Sequence, residues 1–302
     1  MILITGGTGM LGRELVRRLV LTDERVRVLT RDPTRATKLP AGVDVVVGDL
    51  RDDASIAAAV RGCKTVVSAA HGFVGPGRPT PEAIDRDGNH RLIRAAAAAR
   101  IAHFVLVSVV GAAPDHPMSL ARAKYAAEQD LRASGLPFSI VRATPFMETW
   151  LMILSDMLDA KGHALVFGPG TNPVNFVSVR DVAALVALSV RGDAPNDVYE
   201  IGGPENVCLA AVAERVIRAR GRPAPVKHIP LVALRMMAFL ARPFAPAFAR
   251  QAQAAVLMNT TNMALDRVEL LSVPATTFAD VLADAQREAP RCVGGAPNSP
   301  SH

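Results

Sequence analysis

The stretch ILITGGTGMLGREL, residues 2–15, constrains this chain more than any other. Ile2 to Thr5 read as a short strand, and Gly6, Gly9 and Gly12 follow at three-residue intervals as a helical pattern opens. The first glycine tolerates the positive φ of a tight turn, the second lets backbone approach a ligand, and the third lets the helix pack on the strand. A helix that starts there offers free N–H groups and the positive end of its dipole to an anion such as a pyrophosphate. Gly6, Thr8, Gly9, Met10, Leu11 and Gly12 are therefore the expected dinucleotide contacts of this turn. The motif has little weight alone and gains it from its context.

That context is a regular alternation. Apolar runs at 2–5, 26–30, 43–48, 65–70, 103–108 and 138–142 are rich in Val and Ile, as strands buried on both faces would be. Helical patterns at 10–21, 53–61, 81–100 and 118–135 separate them. This predicts an α/β fold, a doubly wound parallel Rossmann sheet. Residues 1–155 form the expected NAD(P)-binding domain, with 172–202 returning to it. Residues 156–171 and 203–290 form a smaller, mostly helical substrate-binding region, and 291–302 a disordered tail. SVRD at 178–181 matches a capping box, with Asp181 as its acid. The segment 229–258 is rich in Ala, Met and Phe but interrupted by prolines, which argues against one continuous helix. It could line the substrate pocket, form an oligomer contact or lie on a membrane surface, and pocket or core packing is the plainer reading.

Composition narrows the classes. Half of the 302 residues are hydrophobic, enough for a large core. The net charge of +6 is spread without basic runs or interleaved aromatics, so nucleic acid is not an expected partner, whereas an anionic small ligand is. Three cysteines without a CxxC pair argue against a disulfide framework and a zinc site, which predicts a reducing, cytoplasmic setting. A strand that opens at Met1–Ile2 leaves no room for a signal peptide, and no run suits an integral membrane span. The absence of HxxxH, HExxH and GxSxG spacing leaves no metal site and no hydrolase elbow. The oligomeric state is not legible.

Beyond the glycine turn, LTRDP after the second strand, GDL at 48–50, DRDGNHRLIRAA at 85–96, NFVSVRDVA at 175–183 and YEIGGPE at 199–205 accumulate. Together they resemble the short-chain dehydrogenase/reductase superfamily, in particular its atypical, NmrA-like branch, over about residues 1–205. The second strand ends with Thr30 where an NAD-preferring site usually has an acid, and Arg31 follows. A guanidinium can hold a 2′-phosphate that a carboxylate would repel, so NADP(H) is expected over NAD(H), with Arg35 and Lys38 in support. Asp32 offers Arg31 an alternative partner. The resemblance implies that Asp49, followed by Leu50, accepts from the adenine amino group; the plain alternative is a first-turn acid for the helix at 53–61. Ala69 and Ala70 are small enough to let a cofactor pass over the strand ends.

Standard members use Ser, Tyr and Lys, with the last two spaced YxxxK on one helix face. Here Ser108 and Lys124 stand in the expected places, but Leu120 occupies the tyrosine position. Tyr125 lies about 100° away around the helix. Lys124 is one of five lysines against 29 arginines. It is the expected catalytic and cofactor-binding residue, the alternative being a surface pair with Glu128 at i+4. His71 and His90 are weaker proton-transfer candidates. Pro145, Phe146, Met147 and Trp150 are expected at the substrate mouth, with helix-packing core as the equal alternative. The resulting expectation is an NAD(P)H-dependent oxidoreductase reducing a small apolar carbonyl, enone or quinone. A non-catalytic NADP(H)-binding redox sensor or assembly factor is the rival, and a sugar-nucleotide epimerase is disfavoured without YxxxK.

Overall fold

The structure, a computed structural model, describes residues 1–73, 80–157, 163–191, 196–219, 225–265, 273 and 275–288. The expected tail at 291–302 lies outside the described residues. In chain order come β1 (Ile2–Thr5), α1 (Met10–Val20), β2 (Val26–Thr30), a 3-10 helix (Pro33–Lys38), β3 (Asp44–Val47), α2 (Asp53–Val60) and β4 (Thr65–Ser68). A π-helical turn (Glu82–Arg86) then runs into α3 (Asp87–Ala98), followed by β5 (His103–Val109), α4 (Ser119–Ala133), β6 (Phe138–Ala143) and α5 (Met147–Asp156). The later elements are β7 (Leu165–Phe167), β8 (Pro173–Asn175), α6 (Val179–Arg191), β9 (Asp197–Ile201), β10 (Asn206–Cys208) and α7 (Leu209–Ala219). Last are β11 (Lys227–Ile229), α8 (Leu231–Ala241), α9 (Pro246–Thr260) and α10 (Phe278–Glu288).

Seven strands form one sheet in the order β3-β2-β1-β4-β5-β6-β9, and every pairing in it is parallel. This is the doubly wound α/β sheet that the alternation predicts. Leu11, Leu15 and Leu19 of α1 and Val182 and Val186 of α6 cover one face. Ile56 of α2, Leu92 and Ile93 of α3, and Ala127 and Leu131 of α4 cover the other. The chain winds outward from β1 in one direction and from β4 in the other, which opens a crevice where the two leave the sheet. A separate core of Trp150, Phe176, Val212, Leu234, Met258 and Phe278 joins α5 to the C-terminal helices.

Three local expectations are corrected. β3 is not buried on both faces: it is the outermost strand, Val45 and Val47 are exposed, and an Arg27–Asp44 ion pair of 2.6 Å ties it to β2. The helix expected over 81–100 begins with a π-helical turn, so its phase shifts by one residue at Asp87. Asp181 does not complete a capping box. Its buried carboxylate accepts from the Thr276 backbone N–H at 2.8 Å and hydroxyl at 2.6 Å, tying the segment before α10 to α6. Ser178 and Glu148 cap α6 instead: the Ser178 hydroxyl accepts from the Arg180 N–H at 3.2 Å, and the Glu148 carboxylate accepts from the Val179 N–H at 3.0 Å.

Candidate functional site

The glycine turn sits where β1 meets β4. Gly6 has a φ of +80°, and a Cβ there would lie 2.6 Å from the Ala69 carbonyl carbon and the Ala70 nitrogen. Both the conformation and the closeness of β4's continuation demand glycine. A Cβ on Gly12 would lie 2.1 Å from the Gly6 oxygen, so the first turn of α1 touches the loop backbone directly. Gly9 is the extended N-cap of α1, no side chain caps it, and the first turn holds no acid. Its N–H groups and dipole are left for an external anion. The cradle thus fits a dinucleotide pyrophosphate, with Thr8, Met10 and Leu11 in it and Ala69 and Ala70 forming the adjoining strand end.

At the end of β2, Thr30 is buried and its hydroxyl donates to the Asp32 carbonyl at 3.1 Å. Asp32 does not pair with Arg31. Its carboxylate caps the 3-10 helix, accepting from the Thr34 N–H at 2.9 Å. Arg31 is exposed, and its guanidinium is among the groups that lower the Asp49 carboxyl. Arg35 reaches the Thr8 carbonyl at 3.3 Å, so the arginine-bearing loop leans over the glycine turn. The helix-cap alternative for Asp49 does not hold either: Asp52 caps α2, accepting from the Ser55 N–H at 2.9 Å. Asp49 forms a 2.6 Å ion pair with Arg51, which holds its carboxyl below the usual range. Leu50 is buried beneath it.

Lys124 is no surface lysine. Its side chain is 5% exposed and its Nζ lies 2.9 Å from Oδ1 of Asp85, itself wholly buried. The same ammonium donates to the Ala70 carbonyl at 3.4 Å, and the other Asp85 oxygen accepts from the Gly72 N–H at 2.8 Å. The pair therefore closes on the end of β4, beside the glycine turn. His71 follows at the end of β4; the residue keeps solvent exposure, but the protein packed around it desolvates the imidazole. That desolvation pushes its pKa below the ordinary histidine value, with Asp85 pulling it up and Lys124 pushing it down. Nδ1 of His71 accepts from the Phe73 N–H at 3.3 Å, which leaves the proton of the neutral ring on Nε2. Arg250 of α9 reaches the Gly72 carbonyl at 3.5 Å, and its Nε is buried without a hydrogen-bond partner.

The expected Ser108–Lys124 partnership is divided. The buried Ser108 hydroxyl donates to Glu128 at 2.5 Å. Glu128, also buried, forms a bidentate pair with Arg142 at 3.0 and 2.6 Å. Arg142 continues to Glu200 at 3.2 Å, and these carboxylates raise its pKa. Glu128 thus binds Ser108 and Arg142, not Lys124, so the surface-pair alternative fails. Leu120 does stand one turn before Lys124 on α4, and Tyr125 is half-buried on another face. His90 pairs with Asp130 at 3.0 Å at the surface. Of the expected substrate residues, Met147 and Trp150 are core. Trp150 stacks edge-on to Phe176 at 6.4 Å, and only Pro145 and Phe146 keep accessible surface. No group of metal-ligating side chains occurs among the described residues.

The pattern of an NAD(P)H-binding family matches residues 6–191, well over half of the chain. The chain belongs to that family. Among its relatives, a (4-alkanoyl-5-oxo-2,5-dihydrofuran-3-yl)methyl phosphate reductase of Streptomyces griseus is 32% identical over 93% of this chain and 96% of its own. An NAD(P)H azoreductase of Xenophilus azovorans is 34% identical over 74% and 75%. An NADPH-dependent quinone oxidoreductase of Escherichia coli, solved with NADPH, superposes with a TM-score of 0.77 at 22% identity, covering 95% of this chain and all of that one, a likeness of fold. The resemblance to the atypical, NmrA-like short-chain dehydrogenases/reductases therefore holds for this NAD(P)H-binding protein.

Asp85 is the residue that sequence reasoning passes over. DRDGNH reads there as a family signature at a helix start. Its signal lies in the inward stripe of that helix, where apolar Leu92, Ile93 and Ala96 are preceded by polar Asp85 and Asn89. Asn89 donates to the Asp85 carbonyl at 2.8 Å and accepts from Ser68 at 2.5 Å. Polar side chains on a core-facing stripe are held by one another or by a ligand.

Proposed function

We propose that this protein is an NADPH-preferring oxidoreductase of the cytoplasm that reduces a small carbonyl, enone or quinone. The observation that carries the reading is the buried Lys124–Asp85 pair at the end of β4, one residue from the backbone that Gly6 touches. The glycine cradle and α1 hold the pyrophosphate, Ala69 and Ala70 let the dinucleotide cross the strand ends, and Arg31, with Arg35 behind it, takes the 2′-phosphate. When bound, the reduced nicotinamide supplies a hydride to the substrate. The Lys124 ammonium faces the oxygen that gains negative charge, stabilises it and gives it a proton. Asp85 positions that ammonium, and His71, with its proton on Nε2, is a second donor into the crevice. Such an arrangement needs no tyrosine at position 120. That two relatives are named as reductases supports turnover over a purely sensory role. The small apolar substrate is read from Pro145 and Phe146 at the crevice end of β6.

Fluorescence titration with NADPH and NADH, followed by NADPH oxidation against a panel of quinones, enones and azo dyes, tests this. Tighter NADPH binding is expected, with at least one class turned over, and Lys124→Ala should abolish turnover while the protein stays folded. A panel in which nothing turns over, with NADPH binding unchanged in Lys124→Ala, would return the protein to the sensor or assembly-factor reading.

A further inference from the structure

α8 is built inside out. Its inward side offers Leu234 and the small Ala238, while Val232, Met236, Phe239 and Leu240 point outward at 74, 60, 68 and 62% exposure. Phe244, in the turn before α9, is 89% exposed. Positions 232, 236, 239 and 240 recur at helical spacing and form one stripe. Contiguous apolar surface of this kind marks a docking face. The exposed Arg235 and Arg242 lie three residues after Val232 and Phe239, at the margins of the stripe. Between Glu214 and Asp266 the chain has seven arginines, one lysine and no acidic residue.

We infer that this face docks on an anionic lipid surface, with α8 lying in the plane of the headgroups. Two observations choose that occupant. An apolar helical face bordered by arginines is the composition of an interfacial helix, whose cations meet lipid phosphates while its aromatic and aliphatic side chains enter the acyl boundary. A second copy is the poorer occupant. In an isologous contact the same patch faces itself, bringing Arg235 and Arg242 of both copies into a drying interface with no carboxylate in the segment to pair them. The described residues include no helix long and apolar enough to cross a bilayer, so the contact is peripheral. α9 packs on α8 and carries Arg250 to Gly72, which puts the docked hairpin next to the crevice. If the reductase reading holds, an apolar substrate could then pass from the bilayer to the site without crossing bulk water.

The test uses the full chain and 100 nm vesicles of phosphatidylcholine alone or with about a quarter phosphatidylglycerol, at low and high salt. Co-sedimentation is expected with the anionic vesicles, falling at high salt. A Phe239→Ser/Phe244→Ser variant should lose about tenfold or more in partitioning while binding NADPH as before, and Arg235→Gln/Arg242→Gln should lose the preference for anionic lipid. Phe244→Trp gives a second readout, since its emission should shift to the blue on vesicle addition. No sedimentation of the wild-type protein, an unshifted Phe244→Trp, or wild-type partitioning of the serine variant would overturn the inference. A dimer in solution that the serine variant dissociates would also overturn it, because it assigns the face to a second copy.

Discussion

Replacing one partner of the Lys124–Asp85 pair should harm the protein far more than replacing both. The two side chains are 5% and 0% exposed and their charged atoms are 2.9 Å apart. Asp85→Asn keeps the shape and an acceptor for the Gly72 N–H but leaves an ammonium buried beside a neutral amide. Lys124→Met keeps the stem and strands the carboxylate. Removing one member of a buried pair typically costs about 3–5 kcal/mol, whereas replacing both by groups of similar volume is often nearly neutral. At roughly 2–4 °C per kcal/mol, each single variant should melt about 6–20 °C below wild type. The double variant should recover most of that; with single losses of about 3–5 kcal/mol each and a double loss of about 1 kcal/mol, the coupling is about 5–9 kcal/mol. Urea and thermal melts of the four proteins, with and without NADPH, measure the cycle. Single losses under about 1 kcal/mol, or losses that simply add, would refute the reasoning, because water would then be screening the pair. Turnover separates stability from chemistry: the double variant should be stable and inactive.

Arg31→Ala should weaken NADPH by roughly ten- to a hundredfold, about 1.4–2.8 kcal/mol, and leave NADH nearly unchanged; equal losses for both would place the 2′-phosphate elsewhere. Gly12→Ala must part the first turn of α1 from Gly6, since 2.1 Å is far inside contact distance, so destabilisation of about 1–3 kcal/mol and a marked loss of NADPH affinity are expected in titration and melting. His71, His103 and His116 all have pKa values lowered chiefly by burial, so the unfolded chain takes up protons first as pH falls through about 6.5. Stability should therefore decline from pH 7.5 towards the lowered folded values. Glu148 and Asp181, raised by burial, act in the opposite sense at more acid pH. As pH falls, the urea midpoint of wild type should drop relative to that of His71→Gln if His71 contributes, and a constant gap between them would exclude it.

The sheet was legible because period and composition agree along it: each buried strand is a run of Val, Ile and Leu, and each helix shows an apolar stripe. β3 misled because its valines look like core, yet burial is decided by position in the strand order, which residues 43–48 do not encode. The glycine cradle was equally readable, since its residues are dictated by backbone geometry. The catalytic surroundings were less so. Lys124 was found by position, but its partner could be Glu128 or something distant, and only the fold shows that Arg142 and Ser108 occupy Glu128 while Asp85 arrives from another helix. Met147 and Trp150 show the same ambiguity on the substrate side: an apolar residue after a strand suits a pocket wall and a core equally, and tertiary packing chose the core.

The π-helical turn at Glu82–Arg86 has a consequence for how this chain can change. A helix normally tolerates no single-residue gain, because each residue turns it by about 100° and would rotate one half of its contacts out of place. Here the surplus residue is absorbed in one wide turn, from which Ile84 packs on the sheet with Leu92, Ile93 and Ala96 while its neighbour Asp85 reaches Lys124. Deleting one residue between 82 and 86 would close that wide turn and disturb the Asp85–Lys124 contact, while Leu92, Ile93 and Ala96 keep their places on the sheet. Length variation at this one place is therefore a route by which a lineage could acquire or lose the carboxylate partner without rebuilding the fold.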